Sequence, residues 1–537
     1  MFLDSSKGIM NPPLPSRPPP PPALIGICLN ANAAIVILVA FFFFLIPGII
    51  VIHQLSDPAI RSPGIPQIAW KLHQNLSPQF EQWATGRVIS TRAAQLSTND
   101  ISGTEWPLFG AVFYLWATES LQQEWDQGHT PGTIAPKVYA RDAIAAAAEL
   151  VVDPAQANWV KIHWGNNYLK TQNVFYRMLV ISALTSHARL TGSTEHLRLL
   201  RDQVESLSAE LDASPHGLLD DYPGQCYPGD VLTAIAMIHR ADFLLGTDHS
   251  AFIRRAIRGF QGKALDSRGL VPYFAYATAG EPSDTSRGCD NSYVCLFSPE
   301  IWPEQARQWY DLYAENFWQE KWTCAGFREF PKDEPGNNWY CDVDSGLVLE
   351  GFGCAACAFG VGAARVNGHF EQAYPLTAEM LATSWPLPSG TCLLPRLFSN
   401  AADAPYLGEA GILFNLTRLP AKGTPIHTGG AMPKFVVIFL ALQLGFGLLL
   451  LIASVRSLRQ WHKQRDIIVA RHPELQFVVW LGLLAASALC AGLGQPMVAV
   501  LLLLCAQLLP RYARKPFTGD TPKPESAPHK SNSVAAM

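Results

Sequence analysis

The chain has 537 residues, of which 49% are hydrophobic and only 16% charged, a balance more apolar than an ordinary soluble domain shows. The formal net charge is −4 overall, but residues 53–432 carry 27 basic against 39 acidic side chains, close to −12. That excess excludes a nucleic-acid partner and speaks against a surface that binds anionic lipid, because both need clustered Lys and Arg.

Residues 1–23 are a Pro-rich tail. Residues 24–52 follow with no charge and a run of four aromatics, Phe41–Phe44. About 20 apolar residues span a bilayer, and no small-x-small cleavage site follows the stretch, so it predicts a retained signal anchor with the tail inside. Residues 53–432 are then expected on the far side of the membrane.

This outer segment reads as a succession of helices with Gly-, Pro- and Asp-rich breaks. Helical patterns cover 106–123, 138–152, 172–192, 195–212, 229–246, 249–265, 302–321, 346–366 and 369–384. No alternating β-branched run of strand type stands out. Two hairpins share one grammar, in which an apolar helix, a Gly-Ser or Gly-Thr turn and an amphipathic helix follow one another: Val174–Thr191 with Thr194–Leu211, and Asp230–Leu245 with Asp248–Leu265. Pairs of this kind stack with the apolar helices inside. The expected fold is all-α, an α/α toroid of about six helical hairpins with transmembrane helices at both ends; an irregular bundle or α-solenoid is the alternative.

In such a ring the pocket is built from loops that enter the inner helices. Leu218–Asp230 combines Asp220, Asp221, Tyr222, Cys226, Tyr227 and Asp230 just before an apolar helix. Trp339–Gly346 repeats the theme with Asp342 and Asp344, and Ser286–Tyr293 adds Arg287, Asp290 and Tyr293. Trp164–Tyr168 and Thr104–Trp106 contribute Trp164 and Glu105. Paired carboxylates can divide acid and base roles when their surroundings push their pKa values apart, and aromatic walls hold a sugar ring or hydrocarbon. Asp before a helix is also a preferred N-cap, which suits Asp230 and Asp344 equally well.

Residues 435–455 form a second uncharged span, followed by a basic loop (456–476) with Arg456, Arg459, Lys463, Arg465 and Arg471. A third apolar stretch, 477–509, is broken by Gly494-Gln495-Pro496, and the tail 510–537 opens with Arg511, Arg514 and Lys515. It is either one tilted helix or a hairpin. Placing both basic segments in the cytoplasm favours the hairpin.

Eight cysteines lie in the outer segment, with Cys289/Cys295 and Cys324/Cys341 the first pairs to test as disulfides and buried free thiols the equal alternative. Cys354 and Cys357 form a C-x-x-C inside an apolar helical run. The triplets at Asn75 and Asn415 match a glycosylation sequon. No metal-ligand spacing, Walker loop or serine elbow is present, and neither metal nor cofactor is expected.

The run from Gln172 to about Trp322 is similar in order and spacing to the linalool dehydratase-isomerase family, an α/α-toroid group. The matching features are Asn173-Val-Phe-Tyr176, Leu190-Thr-Gly-Ser193, the Asp220-to-Cys226 loop, Leu245-Gly-Thr-Asp248 and the Ala306-to-Phe317 helix. The resemblance implies acid/base dehydration or isomerisation of a terpene alcohol, with Cys226 matching one family cysteine and Tyr176 an aromatic of the first inner helix. The second cysteine's place falls at Asp220 or Asp221, and the family histidine's near Leu179. Two central groups are therefore exchanged, which implies different chemistry in a similar cavity.

The expected function is that of a membrane-anchored extracytoplasmic enzyme of the inner or plasma membrane, using paired carboxylates on a glycan. A lyase or isomerase acting on a terpenoid or isoprenoid alcohol is the alternative, and a non-catalytic binding or assembly subunit the third reading. Asp221 and Asp342 are the expected acid/base pair, with Asp220 and Asp344 beside them. Tyr222, Cys226, Tyr227, Asp230, Tyr176, Arg287, Tyr293, Trp339, Glu105 and Trp164 are expected to line the pocket. The expected partners are the lipid bilayer and a small-molecule, lipid-linked or glycan substrate.

Overall fold

The computed structural model describes residues 22–129, 131–334, 338–463, 473–492 and 496–508, and they are mostly helical. The chain divides into two compact units, Phe41–Gly447 and a second formed by Met1–Ala40 with Leu448–Met537.

The larger unit begins in an apolar helix. The turn Ala40–Leu45 is π-helical and leads into α1 (Ile46–Leu55). A π turn breaks the regular carbonyl ladder, and the Trp385 indole N–H donates to the Phe43 carbonyl. After α2 (Gln67–Ser90) the chain alternates between helices buried on nearly every face and helices buried on one stripe. The first kind comprises α3 (Trp106–Asp126), α5 (Val174–Thr191), α7 (Pro228–Leu245), α9 (Gly288–Ile301), α11 (Cys354–Val366) and α13 (Leu407–Leu416). The second comprises α2 with α4 (Arg141–Val152), α6 (Leu197–Ala213), α8 (Ser250–Ala256), α10 (Pro303–Phe317) and α12 (Phe370–Ser384).

The contrast follows from sequence. In α6 the buried residues are Leu200, Gln203, Val204, Leu207, Ser208 and Leu211, the three- and four-residue spacing of one helix face. In α5 every residue from Val174 to Ala188 is buried, so α5 must be enclosed. The six enclosed helices pack in a closed succession, α3 on α5, α5 on α7, α7 on α9, α9 on α11, α11 on α13, and α13 back on α3.

Their first turns lie together. Asp221 bonds the start of α5 to Tyr227 at the start of α7, and a Cβ at Gly229 in α7 would come 2.1 Å from Asp290 Oδ1 in α9. Gly288 N, opening α9, donates to Glu329 O at 2.7 Å, and Phe109 in α3 meets Phe359 in α11. We call this the entry end. At the far end Glu300 in α9 accepts from Arg240 in α7 at 2.7 Å and from Arg418, just past α13, at 3.1 Å.

Short antiparallel strands decorate the entry end: β1–β2 (Ala275–Tyr276, Glu281–Pro282), β3–β4 (Trp318–Glu320, Ala325–Phe327) and the sheet β5–β6–β7 (Trp339–Asp342, Gly346–Leu349, Phe352–Gly353). The stretch expected as one helix, 346–366, therefore splits into two strands and α11. The segment around Arg287, read as a loop, is the first turn of α9.

Asn30–Leu55 and Lys434–Arg456 are long and apolar enough to cross a membrane, with mean hydropathies of 3.2 and 2.8; the second lies in α14 (Lys434–Lys463). In the smaller unit the 477–509 stretch forms two helices, Pro473–Gly492 and Pro496–Leu508, packed on each other. Residues 1–21 of the expected N-terminal tail, the tail 510–537 and residues 464–472 of the expected basic loop lie outside the described residues, while Arg456–Lys463 of that loop continues α14 and Pro473 opens the next helix. The ten cysteines from Cys226 to Cys505 are free, and Cys289 and Cys295 sit on one helix, α9, six residues apart. Asn415 is buried, its amide donating to Gly411 O at 2.8 Å, so it is no glycan acceptor in this fold.

Removing the far-end carboxylate while keeping its shape, Glu300→Gln, leaves Arg240 and Arg418 without their shared anion. The expected cost is about 3 kcal/mol, read as a lower denaturation midpoint of the detergent-solubilised protein.

Candidate functional site

At the entry end the acidic loops expected from sequence do meet, but their roles are redistributed. Asp221 is buried, and its two oxygens accept from Phe175 N and Tyr227 N at 2.8 Å each. It joins the starts of two helices, and burial, with Asp230 nearby, pushes its carboxyl far up. Asp220 accepts from Gly224 N at 2.8 Å within its own loop. Trp164 supports the same loop, its indole donating to Asp221 O at 3.1 Å.

Asp342 is likewise engaged. Oδ1 accepts from Ser345 N and Oγ at 2.7 Å, closing the β5–β6 turn, while Oδ2 pairs with Arg287 at 2.9 Å. Burial opposes ionisation there, but Arg287 and the Ser345 donors win and hold the carboxyl below its usual range. Both residues expected as the acid/base pair are thus consumed in holding loops to helices. The N-capping roles open to Asp230 and Asp344 do not materialise in either.

Glu105, Asp230 and Asp344 remain. Glu105 opens α3 and accepts the Tyr222 hydroxyl. Asp344 accepts the Tyr273 hydroxyl. Asp230, in the first turn of α7, has no side-chain hydrogen bond among the described residues. Burial raises Asp230, and the charges of Asp344 and Glu105 raise it further. Burial also lifts Glu105 to about 7; Asp344 adds to the rise and the Tyr222 hydroxyl restrains it. Asp344 is exposed by area yet also raised by desolvation, the combination expected of a group on the wall of a concave pit. Helix starts crowd the same place, and their positive ends offset part of the repulsion among the carboxylates.

Arg287 is the positive partner. Its Nε donates to Glu329 Oε1 at 2.8 Å, and its guanidinium stacks 4.3 Å over the Tyr273 ring. Nearby, Arg287 Nη2, Asp290 Oδ2 and Glu329 Oε2 are buried without a hydrogen-bond partner, as is the Tyr293 hydroxyl, and groups of this kind ordinarily mark a site for water or ligand. Below the carboxylates Phe109, Phe175, Tyr293 and Phe359 meet edge to face or tilted, with centroids 5.5–6.5 Å apart. Tyr227 packs on Tyr273 and Phe274 at the side.

Three expected lining residues lie elsewhere. Tyr176 is buried with its hydroxyl on Val151 O at 2.9 Å, and Cys226 is enclosed in the core, its thiol pushed far up by burial. Trp339 sits on the outer face of the β5–β6 hairpin, 66% exposed. Tyr273, Glu329, Phe109 and Phe359 were not expected; only the aromatic run Tyr273-Phe-Ala-Tyr276 hinted at any of them. A separate hollow of about 600 Å³, lined by Lys263, Asp266, Arg268, Glu281 and Glu334, brings in none of the site carboxylates. No family model matches the chain, and no curated protein matches it.

Because the folded chain holds Glu105 protonated to higher pH than the unfolded chain does, this group's stabilising contribution is complete below about 4.5 and lost as pH rises through about 7. Glu105→Gln removes that loss. Melting curves should show the variant gaining about 1–3 kcal/mol on the wild type between pH ~5 and pH ~8; a pH-independent difference would contradict the assignment.

Proposed function

We propose that the closed succession of helices is an α/α toroid, that the two long apolar helices anchor it in a membrane with the ring on the extracytoplasmic side, and that its entry end is an acid/base active site. The observation that carries the catalytic reading is the trio Glu105, Asp230 and Asp344. They come from three separate elements, burial raises all three, Asp344 and Glu105 raise Asp230 further and Asp344 raises Glu105, and Asp230 is a carboxyl that no structural hydrogen bond consumes.

In this reading Asp230, kept neutral by burial and by its charged neighbours, delivers a proton to a leaving oxygen. Glu105, poised near neutrality, takes a proton from water or from a carbon beside the breaking bond, and Tyr222 donates a hydrogen bond that stabilises its charged form. Arg287 is too firmly held by Glu329 and Asp342 to approach a substrate freely. It acts as a positioning residue that fixes the hairpin bearing Asp344. The reaction class is cleavage of a C–O bond in a hydrolase or lyase.

A glycan remains the leading substrate, since paired acids are the usual machinery of glycoside cleavage. The floor of Phe109, Phe175 and Phe359 favours a second reading, elimination of water from an isoprenoid alcohol, which the resemblance to the linalool dehydratase-isomerase family supports. A receptor or assembly subunit would not need an unconsumed carboxyl among charged neighbours.

Asp230→Asn should lower kcat/KM by about 10²-fold or more with little change in melting temperature, whereas Asp221→Asn should mainly destabilise the fold. The measurement is turnover of glycan and isoprenoid-alcohol panels by the full-length protein. Unchanged turnover in both Asp230→Asn and Glu105→Gln would remove the site from consideration.

A further inference from the structure

The apolar segments leave the larger unit at its entry end. The Phe43 carbonyl is held by Trp385, the residue after α12. Leu393 N bonds back to Trp385 O, and Cys392 N donates to Glu409 in the first turn of α13 at 3.1 Å. On the other side Phe435 N, at the start of α14, donates to Thr323 O at 2.9 Å, in the turn between β3 and β4. The end of β4 leads directly to Glu329 and the site.

Beside this exit lies a sheet face with the wrong polarity for water. In β6 the residues alternate: Val348 is fully buried, while Leu347 and Leu349 are 43% and 42% exposed. Trp339 pairs with Leu349 and Cys341 with Leu347, so Trp339, Cys341, Leu347 and Leu349 share the outward face of the hairpin. The Lys321–Glu350 ion pair, at 3.2 Å, brings the neighbouring Trp322, 81% exposed, to the same patch. Strands open to water on one face ordinarily turn polar residues outward, and tryptophan is enriched where protein meets the bilayer surface.

We propose that this hairpin face and Trp322 rest in the interfacial layer of the bilayer, so that the pit holding Glu105, Asp230 and Asp344 opens at the lipid surface and takes its substrate from there. The occupant is lipid, because the patch is continuous through Thr323 with the start of an apolar spanning helix. The substrate class follows, resting on the acid/base reading above: a bilayer-resident amphiphile whose hydroxyl or glycosyl head enters the pit.

The test uses the full-length protein in phosphatidylcholine vesicles, with a photoreactive amino acid placed at Trp339, at Leu349 or, as a control, at Phe243. Phe243 is 79% exposed in the last turn of α7, at the far end. Lipid adducts, read by mass spectrometry, should be at least ten-fold more abundant at positions 339 and 349 than at 243. Equal labelling at 243, no lipid adduct at 339 and 349, or adducts there only to a second protein chain would overturn the proposal. The same labels in an Asp230→Asn background separate the two readings: lipid adducts should persist there whatever becomes of turnover.

Discussion

One guanidinium holds the site together. Arg287 reaches from the start of α9 to Glu329 on one side and to Asp342 in the β5–β6 turn on the other, with its face against Tyr273. A hairpin of four-residue strands has little stability alone, and this ion pair, with β7 and the buried Val348, fixes it to the ring. Asp344 is carried by that hairpin two residues from the pair. The position of one member of the carboxylate trio is therefore set by an Arg–carboxylate contact rather than by packing. Such contacts are directional and sheltered from water here, which is what a site needs from its supports.

The division of labour among the acids follows from where backbone donors are free. Each helix start leaves N–H groups without partners, and a carboxylate placed against them is held in one orientation. Asp221 meets such donors at Phe175 N and Tyr227 N, although burial still raises its carboxyl, whereas Asp342 is held low by Ser345 in the β5–β6 turn and by Arg287. Asp230 and Glu105 stand at helix starts with no backbone donor on their oxygens among the described residues, and burial leaves both raised, Glu105 restrained by the Tyr222 hydroxyl. Adjacent residues of one type thus acquire opposite roles from a few ångströms of backbone placement.

That distinction was not legible in the chain, although much else was. The alternation of enclosed and one-faced helices is written in residue spacing, and α5, α6, α7 and α12 match their expected spans closely, whereas the expected helix 249–265 shortens to α8 followed by 3-10 turns. The acidic loops also converge, as their repetition suggested. What could not be read was which member of each doublet, Asp220–Asp221 or Asp342–Asp344, would be tied to a neighbouring element, because that depends on where Phe175 and Arg287, far from them in the chain, come to lie. Helix α9 was missed for a related reason. Its first turn, Gly288-Cys-Asp-Asn-Ser, is poor in helix formers, and it forms because Gly288 admits the carbonyl of Arg328, which a Cβ would meet at 1.9 Å. Tyr176 was misplaced because motif position says nothing about which side of an enclosed helix faces the site, and Cys226 because its loop pairs with Ala275 and turns the thiol into the core.

The closure of the ring has a consequence for how the protein is made. Helix α13 packs on α3, so the last enclosed helix completes the surface of the first, nearly 300 residues earlier in the chain. At ordinary synthesis rates that interval lasts about 15–60 s, during which α3 waits with one apolar flank uncovered. Contacts this distant in sequence also slow the final step of folding. In the membrane-anchored reading proposed above, the first apolar segment has by then emerged, and the incomplete succession of helices passes this period beside the bilayer, where an uncovered flank meets lipid before it meets its partner helix.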